Sequence, residues 1–321
     1  MQLAALSLSL LSSLAALPRI THAVEPPPGT NGDAASLAAA RQLLGERKFR
    51  AAAKGYAEAN ERAGGHCGEC LLGLARAELG LGDLDAGIAT ARDAVAALTG
   101  DPLLGLAYQH LGDLLLQRAG ACQPPLCGPA AIADLTAAGE AYEKALASGS
   151  ADRSLALIGL AKSRLRRSLY PEAAEAASEA LAAAGRGPAA VAARVLRCRA
   201  RGTANLPPSH LPDDKASPPE LLQVKGHVTK PLKIWAPAPI FTEEARRKQL
   251  TGVVILEAII DEDGCVANAH VLQGLPAGLD RSALRAVSDW VFEPATLEGR
   301  PVRVNYSLTV SFKVKFGPLP H

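Results

Sequence analysis

Aromatic residues are scarce in this chain of 321 residues, which contains 2 Trp, 5 Tyr and 5 Phe. Much of its 48% hydrophobic content is alanine instead. Ala-rich chains with few aromatics favour closely packed helices over β-sandwiches or barrels. An excess of charge of one sign is also lacking, since the formal net charge is +2. A nearly neutral chain has no broad basic field, so we expect no binding to nucleic acid.

Motifs of catalytic chemistry are absent as well. The sequence has no G-x-S-x-G, no phosphate-binding P-loop and no H-E-x-x-H. Its 7 His are scattered. Asp261 and Asp263 are too few oxygen ligands for a calcium loop, and they are typical of a plain turn. The sequence therefore predicts a protein that is not an enzyme and has no cofactor or metal.

Long hydrophobic runs are missing except at the N-terminus, where residues 3–17 are apolar and uncharged. This run of about 15 residues is shorter than the ~20 needed to span a bilayer. The small-x-small pattern Thr21-His22-Ala23 follows it. This layout predicts a signal peptide over residues 1–23 and export of a mature chain that begins at Val24. The alternative is an uncleaved anchor in the inner membrane.

Six cysteines fit an oxidising compartment. Four of them form two short-range pairs, which we predict to be disulfides: Cys67 with Cys70, and Cys122 with Cys127. Cys198 and Cys265 are left over, one in each half of the chain, and no role follows for them from the sequence.

The segment from Cys67 to Cys70 also invites a redox or metal interpretation. A thioredoxin-like motif needs a βαβ context, which is absent, and a structural zinc site needs four ligands. The haem attachment motif needs His directly after the second cysteine, where Leu71 stands. A structural disulfide is the interpretation that these residues favour.

Residues 33–202 show a helical pattern with a period of roughly 34 residues. Its copies cover residues 37–63, 71–94, 108–145 and 157–180. Small residues recur where paired helices would cross: Gly87, Ala94, Ala138, Ala145, Ala173 and Ala180. The segment resembles the tetratricopeptide repeat, with an additional helix over 188–201 as a cap. The resemblance implies a surface for an unidentified protein partner; the alternative is a generic Ala-rich helical bundle.

A proline-rich linker is predicted over residues 203–224. Its prolines are Pro207, Pro208, Pro212, Pro218 and Pro219. Chains of this composition are semi-rigid spacers that extend by about 3.1 Å per residue, which gives a reach of ~60–70 Å.

The pattern after the linker alternates between strand and helix. Thr242 is a good N-cap for a short helix that ends before Gly252. A β-branched run over 253–260, the turn 261–264 and a returning strand over 266–272 predict a hairpin. Shorter signals indicate a strand over 228–234 and a helix capped by Asp280. Unbroken apolar–polar alternation over 302–316 predicts one long final strand.

Several spaced motifs in this part of the chain resemble the C-terminal domain of the TonB family. They are Phe241-Thr242-Glu243-Glu244-Ala245-Arg246, Gly252-Val253-Val254, Asp261-Glu262-Asp263-Gly264, Leu279-Asp280-Arg281 and Trp290-Val291-Phe292-Glu293-Pro294. The resemblance covers about residues 225–317 and departs from the family at Thr242, where proline is usual. It implies a small α+β domain: a three-stranded antiparallel sheet with two helices, following an all-α helical repeat.

The resemblance also implies a site. The family binds a short extended peptide of an outer-membrane transporter, which adds as a strand to the edge of the sheet. The implied edge is the last strand, with Asn305, Tyr306, Ser307, Leu308, Thr309, Val310, Ser311, Phe312 and Lys313. The alternative is that Lys313 and Lys315 only protect an edge from aggregation. A homodimer formed by exchange of this strand is a further possibility.

Two functions remain open at this point. The first is a periplasmic peptide-binding or protein-binding scaffold of the cell envelope, associated with outer-membrane transporter systems. The second is a membrane-anchored energy transducer for transmembrane transport. In the family the anchor helix of a transducer carries Ser and His, and residues 3–17 contain no His, since His22 follows Pro18 and Arg19. This favours the scaffold.

Overall fold

The computed structural model describes residues 31–122, 127–149, 151–204 and 221–313. The predicted signal peptide, residues 1–23, and most of the predicted linker, residues 203–224, lie outside the described residues. The chain divides into two compact units between Ala151 and Asp152. The predicted domain limits, 33–202 and 225–317, stay predictions.

The first unit consists of antiparallel helix pairs. Its helices are α1 (Asn31–Gly45), α2 (Phe49–Arg62), α3 (Gly68–Leu81), α4 (Leu84–Ala97), α5 (Leu104–Arg118) and α6 (Pro129–Ala147). Each helix packs on the next, and α3 also packs on both α1 and α5, so the first helices of successive pairs stack. This arrangement confirms the helical repeat.

The turn between α3 and α4 shows how the sequence ends one helix and starts the next. Gly82 has a φ of +79° and closes α3 in the left-handed conformation that glycine adopts without strain. The carboxylate of Asp83 then accepts a hydrogen bond from the Ala86 N–H at 3.3 Å and caps α4. The two residues of this predicted turn thus have separate capping roles.

Small residues let the helices approach closely. A Cβ added to Gly73 would lie 2.2 Å from the ring of Tyr56, and one added to Gly112 would lie 2.9 Å from the ring of Tyr142. The small residues predicted at helix crossings are all buried: Gly87, Ala94, Ala138, Ala145, Ala173 and Ala180. The few aromatic rings of this unit therefore fill space that glycines leave open.

We expect Gly73→Ala to destabilise the first unit by about 1–3 kcal/mol, because its methyl group overpacks against the buried ring of Tyr56. This loss outweighs the roughly 1 kcal/mol by which alanine favours a helix over glycine. Gly45→Ala is the control, since no atom lies within 4 Å of its added Cβ. Urea unfolding followed by circular dichroism at 222 nm measures both; equal midpoints would contradict the close approach.

The second unit begins with three more helices: α7 (Arg153–Arg166), α8 (Tyr170–Ala184) and α9 (Pro188–Ala204). Helix α9 packs on both α7 and α8, and its Ala193 and Ala200 are fully buried. It therefore covers the last helix pair, as expected for a cap.

The rest of the second unit is a small α+β module. Its strands and helices are β1 (Leu222–Gln223), β2 (Leu232–Trp235), α10 (Glu243–Arg247), β3 (Gly252–Ile260), β4 (Val266–Gln273), α11 (Leu279–Ser288), β5 (Val291–Glu293), β6 (Ala295–Leu297), β7 (Arg300–Val302) and β8 (Val304–Phe312). The main sheet has the order β1-β8-β3-β4, and β2–β5 and β6–β7 form two small antiparallel ribbons.

Within the described residues the main sheet has four strands, where three were predicted. Strands β8, β3 and β4 are the expected antiparallel three, and β3 pairs with β8 without interruption from Gly252–Phe312 to Ile260–Val304. The additional strand is β1, which pairs in parallel with the start of β8. Its two residues are too few to show any period in the sequence.

Two local predictions were wrong. The final strand is broken at Arg303 into β7 and β8, because β7 turns back on β6 as a hairpin; residues 314–316 of the predicted strand lie outside the described part. The N-cap of α11 is Gly278 and not Asp280. Leu279 is fully buried and belongs to the helix, so the helix starts two positions earlier than predicted.

One core holds this module together. The inward side chains of β3 and β8 pack with those of α11, and Leu256, Ile260 and Val287 among them are fully buried. Thr242 caps α10 as predicted, since its hydroxyl oxygen accepts a hydrogen bond from the Ala245 N–H at 3.2 Å. One edge of the sheet is β4, and the other is formed by the two-residue strand β1 and, beyond it, by β8.

Candidate functional site: the β8 edge and the α9 contact

The outer side of β8 is largely open. Strand β3 covers the inner side of β8 along its full length, while β1 pairs on the outer side at Val304 and Asn305 only. From Tyr306 to Phe312, no strand within the described residues pairs with that outer side. An edge of this kind presents unpaired N–H and C=O groups.

The direction of β8 main-chain groups follows from the contact with β1. The Leu222 N–H donates to the Arg303 carbonyl oxygen at 3.1 Å, so Arg303 and, by alternation, every second residue after it face outward. Ser307, Thr309 and Ser311 thus present their N–H and C=O groups on the open edge, and their side chains are exposed.

The predicted site residues divide into two groups. Leu308, Val310 and Phe312 are buried in the core, so they hold the strand and cannot contact a ligand through their side chains. Tyr306 is half-buried, with its ring 6.3 Å from that of Phe292. Lys313, the residue after β8, is exposed.

The chemistry of this edge is that of an acceptor for an added strand. No residue of β8 is charged and none is proline, so the usual protection of sheet edges is missing along its length. Lys313 follows the last residue of the strand and could protect only that end. Lys315 lies outside the described residues.

The opposite edge of the sheet is less regular. The register between β3 and β4 shifts twice, between Ile255 and Leu256 and between Glu257 and Ile259. Asn268 within β4 has a φ of +49°. Such irregularities bend an edge and interrupt its hydrogen-bonding pattern. The strand with the more regular pairing is therefore β8, whose register with β3 has no shift.

A cluster of charged side chains connects α9 with the turn between β3 and β4. Arg197 contacts Asp263 with 3.0 Å between Nη2 and Oδ1, and Arg201 contacts Asp261 with 3.0 Å between Nη2 and Oδ2. Nη1 of Arg201 also contacts Oδ2 of Asp263. All four side chains are less than 9% exposed, so these are buried ion pairs.

The main chain of the turn strengthens this contact. The Asp263 carbonyl oxygen accepts hydrogen bonds from Nη1 of Arg194 at 2.9 Å and from Nη2 of Arg197 at 3.2 Å. Oδ1 of Asp261 accepts from the N–H groups of Asp263 and Cys265 at 3.0 and 2.8 Å. These hydrogen bonds fix the shape of the turn, which presents two carboxylates and one carbonyl oxygen to the arginines.

Glycine is required within this turn. Gly264 has a φ of +82°, and a Cβ there would lie 1.9 Å from the carbonyl oxygen of Phe292. Its own carbonyl oxygen accepts a hydrogen bond from the Phe292 N–H at 2.9 Å. The turn is therefore held by β5 on one side and by α9 on the other.

Burial opposes the charges on the arginines. It lowers the pKa of Arg197, while the carboxylate of Asp263 acts in the opposite direction and raises it. It also lowers the pKa of Arg194. Both guanidinium groups stay charged at neutral pH because arginine titrates far above it, so the carboxylates are needed to compensate them.

A disulfide between Cys198 and Cys265 adds a covalent bond to the same contact, with Cα atoms 5.2 Å apart. Sequence reasoning missed this pair because 67 positions separate the two cysteines. The sequence did offer one signal: of the six cysteines, the two short-range pairs use four, so Cys198 and Cys265 are the two that remain. The structure also pairs Cys67 with Cys70 at the start of α3, and Cys122 with Cys127 between α5 and α6.

The described residues show few other candidate sites. None of their helices combines the length and the apolar character that a bilayer crossing requires. In the same ranges, no three His, Cys, Asp or Glu side chains form a group that could hold a metal ion. Burial lowers the pKa of His110 in α5 to about 3, so this imidazole is neutral at physiological pH.

These features define a helical-repeat protein that carries a small α+β module with one open sheet edge. Residues 237–314 match the family model described as the Gram-negative bacterial TonB protein C-terminal, which confirms the resemblance over this module. Protein TonB of Vibrio cholerae serotype O1 is 28% identical over 99 residues, covering 28% of this chain. The match spans 41% of that protein's own length.

Solved structures similar to this chain contain tetratricopeptide-type repeats. The TPR-like repeats of a Podosopora anserina kinesin light chain are 14% identical, with a TM-score of 0.43 over 54% of this chain and 86% of theirs. The TPR2AB domain of yeast Sti1, in its pHSP90 complex, is 14% identical with a TM-score of 0.31 over 55% of this chain and 85% of that one. The repeat assignment follows from the helix pairs themselves.

Proposed function

We propose that this chain is a binding protein of the cell envelope with a TonB-like role in transport and no enzymatic activity. Its C-terminal module captures an extended peptide of an outer-membrane transporter or another envelope protein. The peptide adds as a strand along residues 305–313 of the β8 edge. The observation that carries this proposal is the open and uncharged outer side of β8 between Tyr306 and Phe312.

The contact between α9 and the C-terminal module favours the scaffold over an energy transducer, which would need a long spacer before that module. Helix α9 contacts the turn between β3 and β4 through Arg197 and Arg201, and the disulfide of Cys198 with Cys265 bonds it there. Strand β1 pairs with β8 at Val304. Val304 in turn pairs with Ile260, the last residue of β3 before the same turn. Helix α9 and strand β1 therefore both contact the module at the same end of its sheet.

The scaffold proposal includes export to the periplasm and a second partner for the helical repeat. The helical pairs provide the surface for that partner, as stacked repeats do in general. The alternative, an inner-membrane anchor at the N-terminus, would leave the peptide site unchanged. Fractionation of the native protein, with sequencing of its N-terminus, distinguishes the two: a soluble periplasmic chain that starts near Val24 supports the scaffold.

Thr309→Pro tests the peptide site. Proline removes the N–H group of residue 309, which faces outward, and leaves the ladder to β3 intact. Peptides selected from a random display library on the full chain should bind this variant at least about tenfold more weakly, a difference of ~1.4 kcal/mol. Fluorescence anisotropy with labelled peptides gives both affinities.

Thr309→Val is the matched control, because valine keeps the N–H group and the strand preference. It should bind the same peptides with affinity close to that of the original chain. Unchanged tryptophan emission shows that both variants keep the module folded. Peptides that bind Thr309→Pro as tightly as the original chain would place the site elsewhere, and failure of any peptide to be selected would contradict the proposed function.

A further inference from the structure

Strand β1 occupies the same edge that the proposed peptide would use. Leu222 and Gln223 pair in parallel with Val304 and Asn305. The Leu222 N–H donates to the Arg303 carbonyl oxygen at 3.1 Å. The side chain of Leu222 packs against the core of the module, as does that of Val224 two positions later. A segment of this chain is thus already bound at the first two positions of the β8 edge.

The chain leaves the edge directly after Gln223. The Lys225 N–H donates to the Gln223 carbonyl oxygen at 2.8 Å, and the Val228 N–H donates to the Lys225 carbonyl oxygen at 3.1 Å. Gly226 in this turn has a φ of +59°. The Thr229 N–H then donates to the Thr296 carbonyl oxygen at 2.8 Å, so the chain continues on the β6–β7 ribbon.

We propose that residues 221–224 are a built-in competitor for the peptide-binding edge. With these residues in place, a peptide can pair only with the part of β8 from Tyr306 onward. A peptide that uses the edge from Val304 must first displace β1. This inference rests on the proposed function, because it assumes that β8 is the peptide site.

The geometry fits an exchangeable strand. The ladder of β1 is two residues long, so its hydrogen bonds are few, while β8 is held to β3 over nine residue pairs. Leu221, just before β1, is 47% exposed and contributes little to binding. Since β1 belongs to the same chain, its local concentration at the edge is high, and a peptide in solution competes against it at a disadvantage.

The test uses a peptide of this chain as the probe. It spans residues 220–227, Glu-Leu-Leu-Gln-Val-Lys-Gly-His, with a fluorescent label. Leu222→Pro in the full chain removes the N–H that bonds to Arg303 and the side chain that packs on the core, so β1 detaches. We expect the probe to bind this variant at least tenfold more tightly than it binds the original chain, and a scrambled peptide to bind neither.

Leu221→Pro is the matched control. By the alternation of the strand, the N–H of residue 221 points away from β8, so proline at this position leaves β1 in place. The affinity of this variant for the probe should therefore stay as low as that of the original chain. Leu222→Asp, which keeps the N–H and removes the apolar contact, should shift affinity in the same direction as Leu222→Pro. It replaces that variant if proline disturbs the fold, which tryptophan emission shows.

The proposal that β1 is a competitor would be overturned by either of two results. The probe could bind the original chain, Leu222→Pro and Leu222→Asp with equal affinity, or it could bind none of them. The display-selected peptides then decide whether the site itself is wrong. If they still bind in a manner sensitive to Thr309→Pro, only the competitor fails. If they do not, the β8 site fails as well.

Discussion

Replacing Asp263 with Asn should lower the free energy of unfolding of the C-terminal module by about 3–5 kcal/mol. Asp263 is 1% exposed and its carboxylate contacts both Arg197 and Arg201. The amide keeps the shape and removes the charge, so two buried guanidinium groups lose a carboxylate partner. The loss measures the penalty for uncompensated buried charge and not the net contribution of the ion pairs.

Both tryptophans of the chain, Trp235 and Trp290, lie in this module, so their emission during urea unfolding reports it selectively. Asp289→Asn is the matched control. Asp289 faces another arginine of α9, Arg199, at 3.7 Å, and its side chain is 47% exposed. An exposed pair of this kind contributes less than ~1 kcal/mol. Similar urea midpoints for Asp263→Asn and Asp289→Asn would mean that water reaches the arginines around Asp263.

The second large effect is expected for the double variant Cys198→Ser and Cys265→Ser. The disulfide closes a loop with a sequence separation of 67. Chain entropy predicts a stabilisation of about 4 kcal/mol for a loop of this size. The double substitution avoids a free thiol. Unfolding in urea followed by tryptophan emission should shift to lower denaturant accordingly.

The control for this double variant is a second one, Cys67→Ser with Cys70→Ser, which removes a disulfide that closes a much shorter loop. That disulfide has a separation of 3, for which the same entropy argument gives roughly 2 kcal/mol or less. It lies in the first unit, so tryptophan emission should not respond. If the Cys198 and Cys265 variant also left the emission midpoint unchanged, the buried ion pairs alone would hold α9 on the module.

Much of the fold could be predicted because its signals are local. Small residues such as Gly87 and Ala94 recur at helical crossings, and the β-branched run of β3 leads through a short turn into β4. The alternation along β8 identified the buried side chains of the edge strand, including Leu308 and Val310. Each of these patterns repeats over enough residues to fix both the element and its buried face.

The features that sequence reasoning missed depend on long-range contacts. Strand β1 is too short for a period, and its pairing with β8 links residues about 80 positions apart. The turn at Asp261 and Asp263 is a plain hairpin turn by its sequence, and nothing local assigns it to Arg197 and Arg201. The cysteine pair within that contact was hidden for the same reason.

The bond between Cys198 and Cys265 also determines how mechanical load would travel through the chain. If a peptide binds β8 as proposed, tension on it would pass back along the backbone to Cys265 and cross the sulfur–sulfur bond to Cys198 in α9. That covalent path bypasses residues 199–264, which include the predicted proline-rich linker. While the disulfide is intact, such tension would not reach the predicted linker, and reduction of this one bond would bring the linker into the load path.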